Sequence, residues 1–237
     1  VLIPALGPGI SNGISGIAGA QQERSAMVVL CGEMPTRQMG IYNHQVFDHV
    51  ALARPVTKYA DTLNPKRAAQ QLAKALDIAL EHPAGPVFIN LPADANREAA
   101  GDEQTKSPAR RAPVVLTAAA AETLRSALSH AKRPLALVGR GALLHDAPAA
   151  FKRFIEAWRM PFLTTYKAKG IADDRHPMCA GSVGLSPVVD TENLKLIGQA
   201  DCLVLVGFDP IELRDAWLDA WPESLRGVSI DWGALNH

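Results

Sequence analysis

Two kinds of pattern alternate along the chain. Short, nearly unbroken apolar runs at residues 27–31 (MVVLC), 86–91 (PVFINL), 135–138, 161–165, 202–207 (CLVLVG) and 228–231 read as buried strands. Between them lie stretches with helical spacing. Asn64-Pro65 pairs a capping residue with proline at the first helical position and predicts a helix over residues 65–82. Ala68, Leu72, Ala75, Leu76, Ala79 and Leu80 fall on one face of it, and Pro83 ends it. Further helices are expected at about 118–130, 148–158 and 191–199. Strand alternating with helix predicts α/β layers around parallel sheets.

The pattern breaks once. Around residues 98–112 the chain is polar, charged and without period, as a linker would be. This predicts one domain over residues 1–97, a linker over 98–112 and a second domain over 113–237. Each is expected to be a three-layer α/β unit on a parallel sheet. Residue 1 lies inside what reads as a running strand and residue 237 just after another, so the chain reads as a fragment of a longer protein, with both domains incomplete.

Composition narrows the partners. Lys and Arg (24) balance Asp and Glu (24), which leaves no basic footprint for nucleic acid. No apolar run reaches the ~18 residues a membrane span needs. The opening residues lack the charged-then-apolar pattern of a signal segment. Cys31, Cys179 and Cys202 are odd in number and without metal-type spacing, so reduced thiols in a cytoplasmic protein are expected.

Candidate chemistry concentrates near the start. Gly7-Pro8-Gly9-Ile10-Ser11-Asn12 follows an apolar run and opens a helix. Such a corner lets backbone approach a neighbour closely, and the free amides of the helix start would face whatever fills it. Taken alone it is also an ordinary strand-to-helix turn. Gly139-Arg140-Gly141 after the strand at 135–138 begins a nucleotide-type turn, but Leu144 stands at the third glycine position. Lys167 and Lys169 read as solvated, His176-Pro177 as a turn, and Trp158, Trp217, Trp221 and Trp232 as packing.

The order of motifs after Gly7 resembles the pyrimidine-binding domain of thiamine-diphosphate enzymes of the acetolactate synthase type. That family shows Gly-Pro-Gly-x-x-Asn, a strand ending in Gly-Gln-x-Pro, a Gln-Glu pair, and Arg-Pro-x-Thr-Lys. The matching residues are Gly7, Pro8, Gly9 and Asn12, then Gly32 and Pro35, then Gln45, then Arg54, Pro55, Thr57 and Lys58. Glu33 stands where Gln is usual, Val46 where Glu often follows, Gly19 for a common Asp and Ala26 for a common Pro. These departures bear on the substrate more than on the fold. Thr164-Thr165, Lys169-Gly170, His176-Pro177, Ala200-Asp201 before a strand ending in Gly207, and Ile230-Asp231 keep the spacing of the family's central domain.

The resemblance implies thiamine diphosphate and Mg²⁺ as cofactors, a 2-oxo acid as substrate, and carboligase or decarboxylase chemistry in a homodimer or homotetramer. Gly7, Pro8, Gly9, Asn12 and Gln45 become the candidate cofactor-binding residues. Asn12 is open to a second reading as a helix-start residue, and Gln45 as a polar residue of a surface loop. His44 could serve as an acid/base, or be structural or exposed. The family's activating glutamate would precede residue 1 and its Gly-Asp-Gly…Asn metal motif would follow residue 237, so the chain alone is expected to be inactive. The one Gly-Asp pair, Gly101-Asp102, falls in the linker. FAD is not expected, because the glycine turn is incomplete and Arg140 is its single basic residue. The alternative function is a non-catalytic module that binds FAD or ADP, or one that only dimerises.

Overall fold

The computed structural model describes residues 1–99, 101, 116–143, 147–213, 217 and 221–231. Nearly all of the expected linker, Leu144 of the glycine turn, Asp102 and Trp232 lie outside them. The chain divides into two compact units, Val1–Ala112 and Pro113–His237.

The first unit is built on strands β1 (Met27–Glu33), β2 (Tyr59–Thr62) and β3 (Pro86–Pro92), all parallel in the order β1-β3-β2. Residues 2–4 run beside β1: the Leu2 amide donates to Val28 and the Leu30 amide to Leu2, both at 2.9 Å. Helices α1 (Pro8–Gln22) and α2 (His49–Ala53) cover one sheet face, and α3 (Ala68–Leu80) the other. Ile10 and Ile17 are fully buried against Val29, Cys31 and Phe88. Each such side chain contributes about 1.5–3 kcal/mol.

The α3 region differs from its expected shape. Asn64 does cap, accepting from the Lys66 amide at 3.1 Å, but Pro65–Arg67 forms a tight 3-10 turn and the α-helix proper starts at Ala68. Its buried face is Ala75 and Ala79, while Leu76 and Leu80 are exposed. Alanines let the helix lie close on β3, which is buried at every position but Leu91, and the bulkier leucines point outward.

The second unit has strands β4 (Pro134–Val138), β5 (Phe162–Thr165), β6 (Cys179–Val183), β7 (Cys202–Val206) and β8 (Arg226–Ile230), all parallel in the order β6-β5-β4-β7-β8. Helices α4 (Ala118–His130) and α5 (Ala147–Trp158) pack on the face carrying Ala136, Val138 and Phe162. Helix α6 (Pro187–Gln199) packs on the face carrying Leu135, Leu137 and Leu163. Both units are therefore three-layer α/β sandwiches on parallel sheets. Trp217 is buried and Trp221 packs on the same cluster, but Trp158 stands 37% exposed. Lys169 is solvent-exposed and paired with Asp174 at 3.0 Å. Among the described residues no helix is long and apolar enough to cross a membrane.

Candidate functional site

The carboxyl edge of the first sheet is where an open α/β sheet presents a site. There β1 ends in Glu33, β3 carries Asn90, and the turn into α1 brings in Gly7. Gly7 is the N-cap of α1, with φ 63° and ψ −115°, a combination reserved for glycine. A Cβ built on it would lie 2.6 Å from the Gln45 Cβ and 2.8 Å from the Gln45 carbonyl oxygen. Gly7 and Gln45 therefore touch backbone to backbone. Gln45 itself is bent into the left-handed region, at φ 60°.

Two of the candidates share a helix face. Pro8 opens α1 and Asn12 follows one turn later, both exposed. Asn12 is in the second turn and makes no capping bond, so the helix-start reading of this residue is overturned: the N-cap position belongs to Gly7. The carboxamides of Asn12 and Gln45 have no hydrogen-bond partner among the described residues. Gly9 is half-buried, and its amide donates to the Leu6 carbonyl at 3.4 Å. The expectation that free amides of the helix start face a ligand is not met at these positions. Pro8 has no N–H, Gly9 is engaged, and the Gly7 amide is taken by a buried side chain.

That side chain is His49, which the sequence reading passed over for the exposed His44. The Gly7 amide donates to His49 Nε2 at 3.0 Å. His49 Nδ1 stands 2.8 Å from Glu33 Oε2 and 3.4 Å from Asn90 Oδ1. Asn90 Nδ2 donates to Glu33 Oε2 at 3.0 Å, and the Met34 amide to Glu33 Oε1 at 2.8 Å. His49, Glu33 and Asn90 are 1%, 3% and 4% exposed. Local structure explains why they meet. Cys31 and Asn90 are register partners, so Glu33, two residues on, points to the same face. Asp48 caps α2 by accepting from the Ala51 amide at 2.8 Å, which fixes His49 as its first residue. The Phe47 ring meets the imidazole edge to face, 4.6 Å between centroids. Next to Glu33, burial and then the Glu33 charge push the Cys31 thiol up to about 11, so it is no nucleophile.

The loop that carries Gln45 is tied down at its start. The Thr36 amide and hydroxyl both donate to Asp94, just past β3, and hold its carboxyl down at about 2.

The second unit has a polar cluster at the switch point of its sheet, where the strand order reverses between β4 and β7. Glu212, 2% exposed, accepts from the Arg140 amide at 3.1 and 3.0 Å and from the Asp209 amide at 3.3 Å. The Thr165 hydroxyl donates to it as well. Burial pushes the Glu212 carboxyl above its ordinary value, against the pull of these hydrogen bonds. A Cβ on Gly139 would lie 2.5 Å from the Gly207 carbonyl oxygen, so the two glycine turns close on each other.

Two family models match this chain: "Thiamine pyrophosphate enzyme, N-terminal TPP binding domain" over residues 1–52, and "Thiamine pyrophosphate enzyme, central domain" over residues 121–234. The chain belongs to the thiamine pyrophosphate enzyme family. All five candidate corner residues, together with Glu33 and His49, fall within the first of these family matches. Similar relatives include a probable acetolactate synthase of Mycobacterium bovis, 31% identical over 88% of this chain and 37% of the relative. An acetolactate synthase of Bacillus subtilis is 30% identical over 90% of this chain and 37% of its own length. A sulfoacetaldehyde acetyltransferase of Alcaligenes xylosoxydans xylosoxydans is 29% identical over 100% of this chain and 39% of its own length. The chain thus spans about two fifths of these thiamine pyrophosphate family relatives.

Proposed function

We propose that this chain supplies the aminopyrimidine-holding corner and the central unit of a thiamine-diphosphate-dependent enzyme acting on a 2-oxo acid, as a carboligase or decarboxylase. One observation carries the reading. At a corner inside the matched thiamine pyrophosphate domain, two carboxamides, Asn12 and Gln45, are exposed and have no hydrogen-bond partner among the described residues. An aminopyrimidine offers ring nitrogens that accept and an exocyclic amine that donates, and a carboxamide can answer both. The donor set fits that ring and not a diphosphate, since Pro8, Gly9, Asn12 and Gln45 carry no charge. Among the described residues no group of three His, Cys, Asp or Glu could hold a metal. Mg²⁺ and the diphosphate are therefore assigned to other residues of the enzyme.

In this reading Gly7 admits the Gln45 loop to the corner, Pro8 offers an apolar surface against the ring and excludes water, and Asn12 and Gln45 orient it by hydrogen bonding. Bound thiamine diphosphate supplies the electron sink for cleavage beside the 2-oxo carbonyl. In the enzyme that contains this chain, Asn12→Ala is expected to weaken thiamine-diphosphate binding about five-fold, a lost hydrogen bond of ~1 kcal/mol, with thermal stability unchanged. A cofactor titration followed by thermal melting checks this. Unaltered affinity with a lowered melting temperature would remove Asn12 from the site.

The nucleotide-binding alternative concerns the second unit, and Glu212 speaks against it. A dinucleotide phosphate at a switch point rests on backbone amides of the first glycine turn. Here the Arg140 amide already gives to the Glu212 carboxylate, so the chain's own anion fills that place. FAD is proposed to be absent, and the purified protein is expected to be colourless. A flavin band in the visible spectrum that survives gel filtration would overturn this.

A further inference from the structure

The buried trio beneath the corner has no part in the proposed contacts to the cofactor, yet it is linked to the corner through one backbone amide, that of Gly7, which donates to His49 Nε2. The Gly7 N–H can only donate, so His49 Nε2 must be bare and accept. The imidazole proton then sits on Nδ1, where Glu33 Oε2 at 2.8 Å takes it and Asn90 Oδ1 lies within 3.4 Å. Glu33 is completed as a carboxylate by donors from Asn90 and the Met34 amide. In this arrangement the Gly7 N–H, the His49 Nδ1–H, the Met34 N–H and one Asn90 Nδ2 hydrogen each have an acceptor. The opposite tautomer would set Nε2–H against the Gly7 N–H and leave bare Nδ1 facing a carboxylate. In a site closed to water either fault costs far more than it would at the surface.

We infer that His49 is a positioning residue for the cofactor corner: held as its Nδ1–H tautomer by Glu33 and Asn90, it fixes the Gly7 amide, and through it the turn that carries Pro8 and meets Gln45. This rests on the reading of the corner as the aminopyrimidine site. The chain of contact is short. Gly7 is the residue whose conformation lets Gln45 approach, and its single donor is spent on His49. Asp48 fixes the start of α2 and Phe47 abuts the ring, so the imidazole is set from both sides of the chain.

Two measurements test it. The first needs no cofactor. In the ¹⁵N-labelled chain at neutral pH, a long-range ¹⁵N–¹H correlation should give His49 the Nδ1–H pattern, and the Gly7 amide proton should shift on mutation of His49. An Nε2–H or doubly protonated His49 would overturn the inference. The second compares His49→Gln with His49→Asn in the enzyme that contains this chain. Glutamine reaches the Nε2 position with an acceptor oxygen; asparagine reaches only the Nδ1 position. His49→Gln is expected to hold thiamine-diphosphate affinity within about three-fold, and His49→Asn to weaken it about ten-fold. Equal affinities in the two variants would overturn the positioning role. Should His49→Asn fail to fold, the tautomer and the Gly7 amide shift in His49→Gln still decide the matter. Should the unmutated enzyme bind no thiamine diphosphate, the proposed function fails, and the two resonances still decide whether His49 holds Gly7.

Discussion

Replacing Gly7 with alanine is expected to cost the first unit about 3 kcal/mol and to reduce thiamine-diphosphate affinity at least about ten-fold, the largest effects of any single substitution at the corner. Two independent penalties combine. At φ 63° and ψ −115° any Cβ is strained, by about 1–3 kcal/mol. The new methyl would also press on Gln45 at 2.6 Å from its Cβ and 2.8 Å from its carbonyl oxygen. These atoms belong to the main chain or adjoin it, so they cannot swing aside as the tip of a long side chain would. Relief requires the Gln45 loop to move, and that loop is pinned at Thr36 by Asp94 and at Asp48 by the cap of α2. Gly13→Ala is the control: its nearest listener would be Leu2 Cδ2 at 3.7 Å, ordinary contact, and a helix-interior alanine gains up to ~1 kcal/mol. Denaturant unfolding and a cofactor titration of both variants check the contrast. A Gly7→Ala protein as stable as the Gly13→Ala one would mean that the corner does not need its glycine conformation.

The elements with the strongest periodicity were legible in the sequence because one physical factor set each of them. The expected strand at 86–91 is β3, buried along nearly its whole length, and the expected helix at 118–130 is α4, started by Thr117, which accepts from the Ala120 amide. Strands β2 and β6 escaped notice. Tyr59–Thr62 and Cys179–Val183 are short and half-buried, so they carry neither a continuous apolar run nor clean alternation. Helix α2 has only five residues and is held by its cap and its tertiary contacts, which no periodicity records. At the site, the glycine corner was readable because its residue types are locally constrained. The Glu33–His49–Asn90 network was not, because its members lie 16 and 41 residues apart and meet only when β1 and β3 pair in register. Glu33 did stand out as a departure from the family's usual glutamine. A polar residue ending an apolar strand, with a histidine just after a capping Asp, was the available signal.

Glu212→Ala is expected to destabilise the second unit by about 3 kcal/mol, because it removes a buried acceptor from three donors at once. The Arg140 amide, the Asp209 amide and the Thr165 hydroxyl all end on this carboxylate, at the point where three strands of the sheet finish. Of these donors the Thr165 hydroxyl is buried and the two amides are part-buried, and the loss of a side chain only 2% exposed also leaves a void. The pH dependence separates charge from packing. Burial raises the Glu212 carboxyl above its ordinary 4.5, so the folded unit keeps a proton that the unfolded chain has released. By linkage, this group's contribution is fully present below 4.5 and falls as pH rises toward its folded value. Glu212→Gln keeps the shape and cannot ionise, so its stability should lack that decline. Unfolding curves of the unmutated, Gln and Ala proteins, taken from acid to neutral pH, give the comparison. Parallel pH profiles for the unmutated and Gln proteins would show that Glu212 is not the titrating group. An Ala variant within 1 kcal/mol of the unmutated protein would show that the cradle amides find other partners.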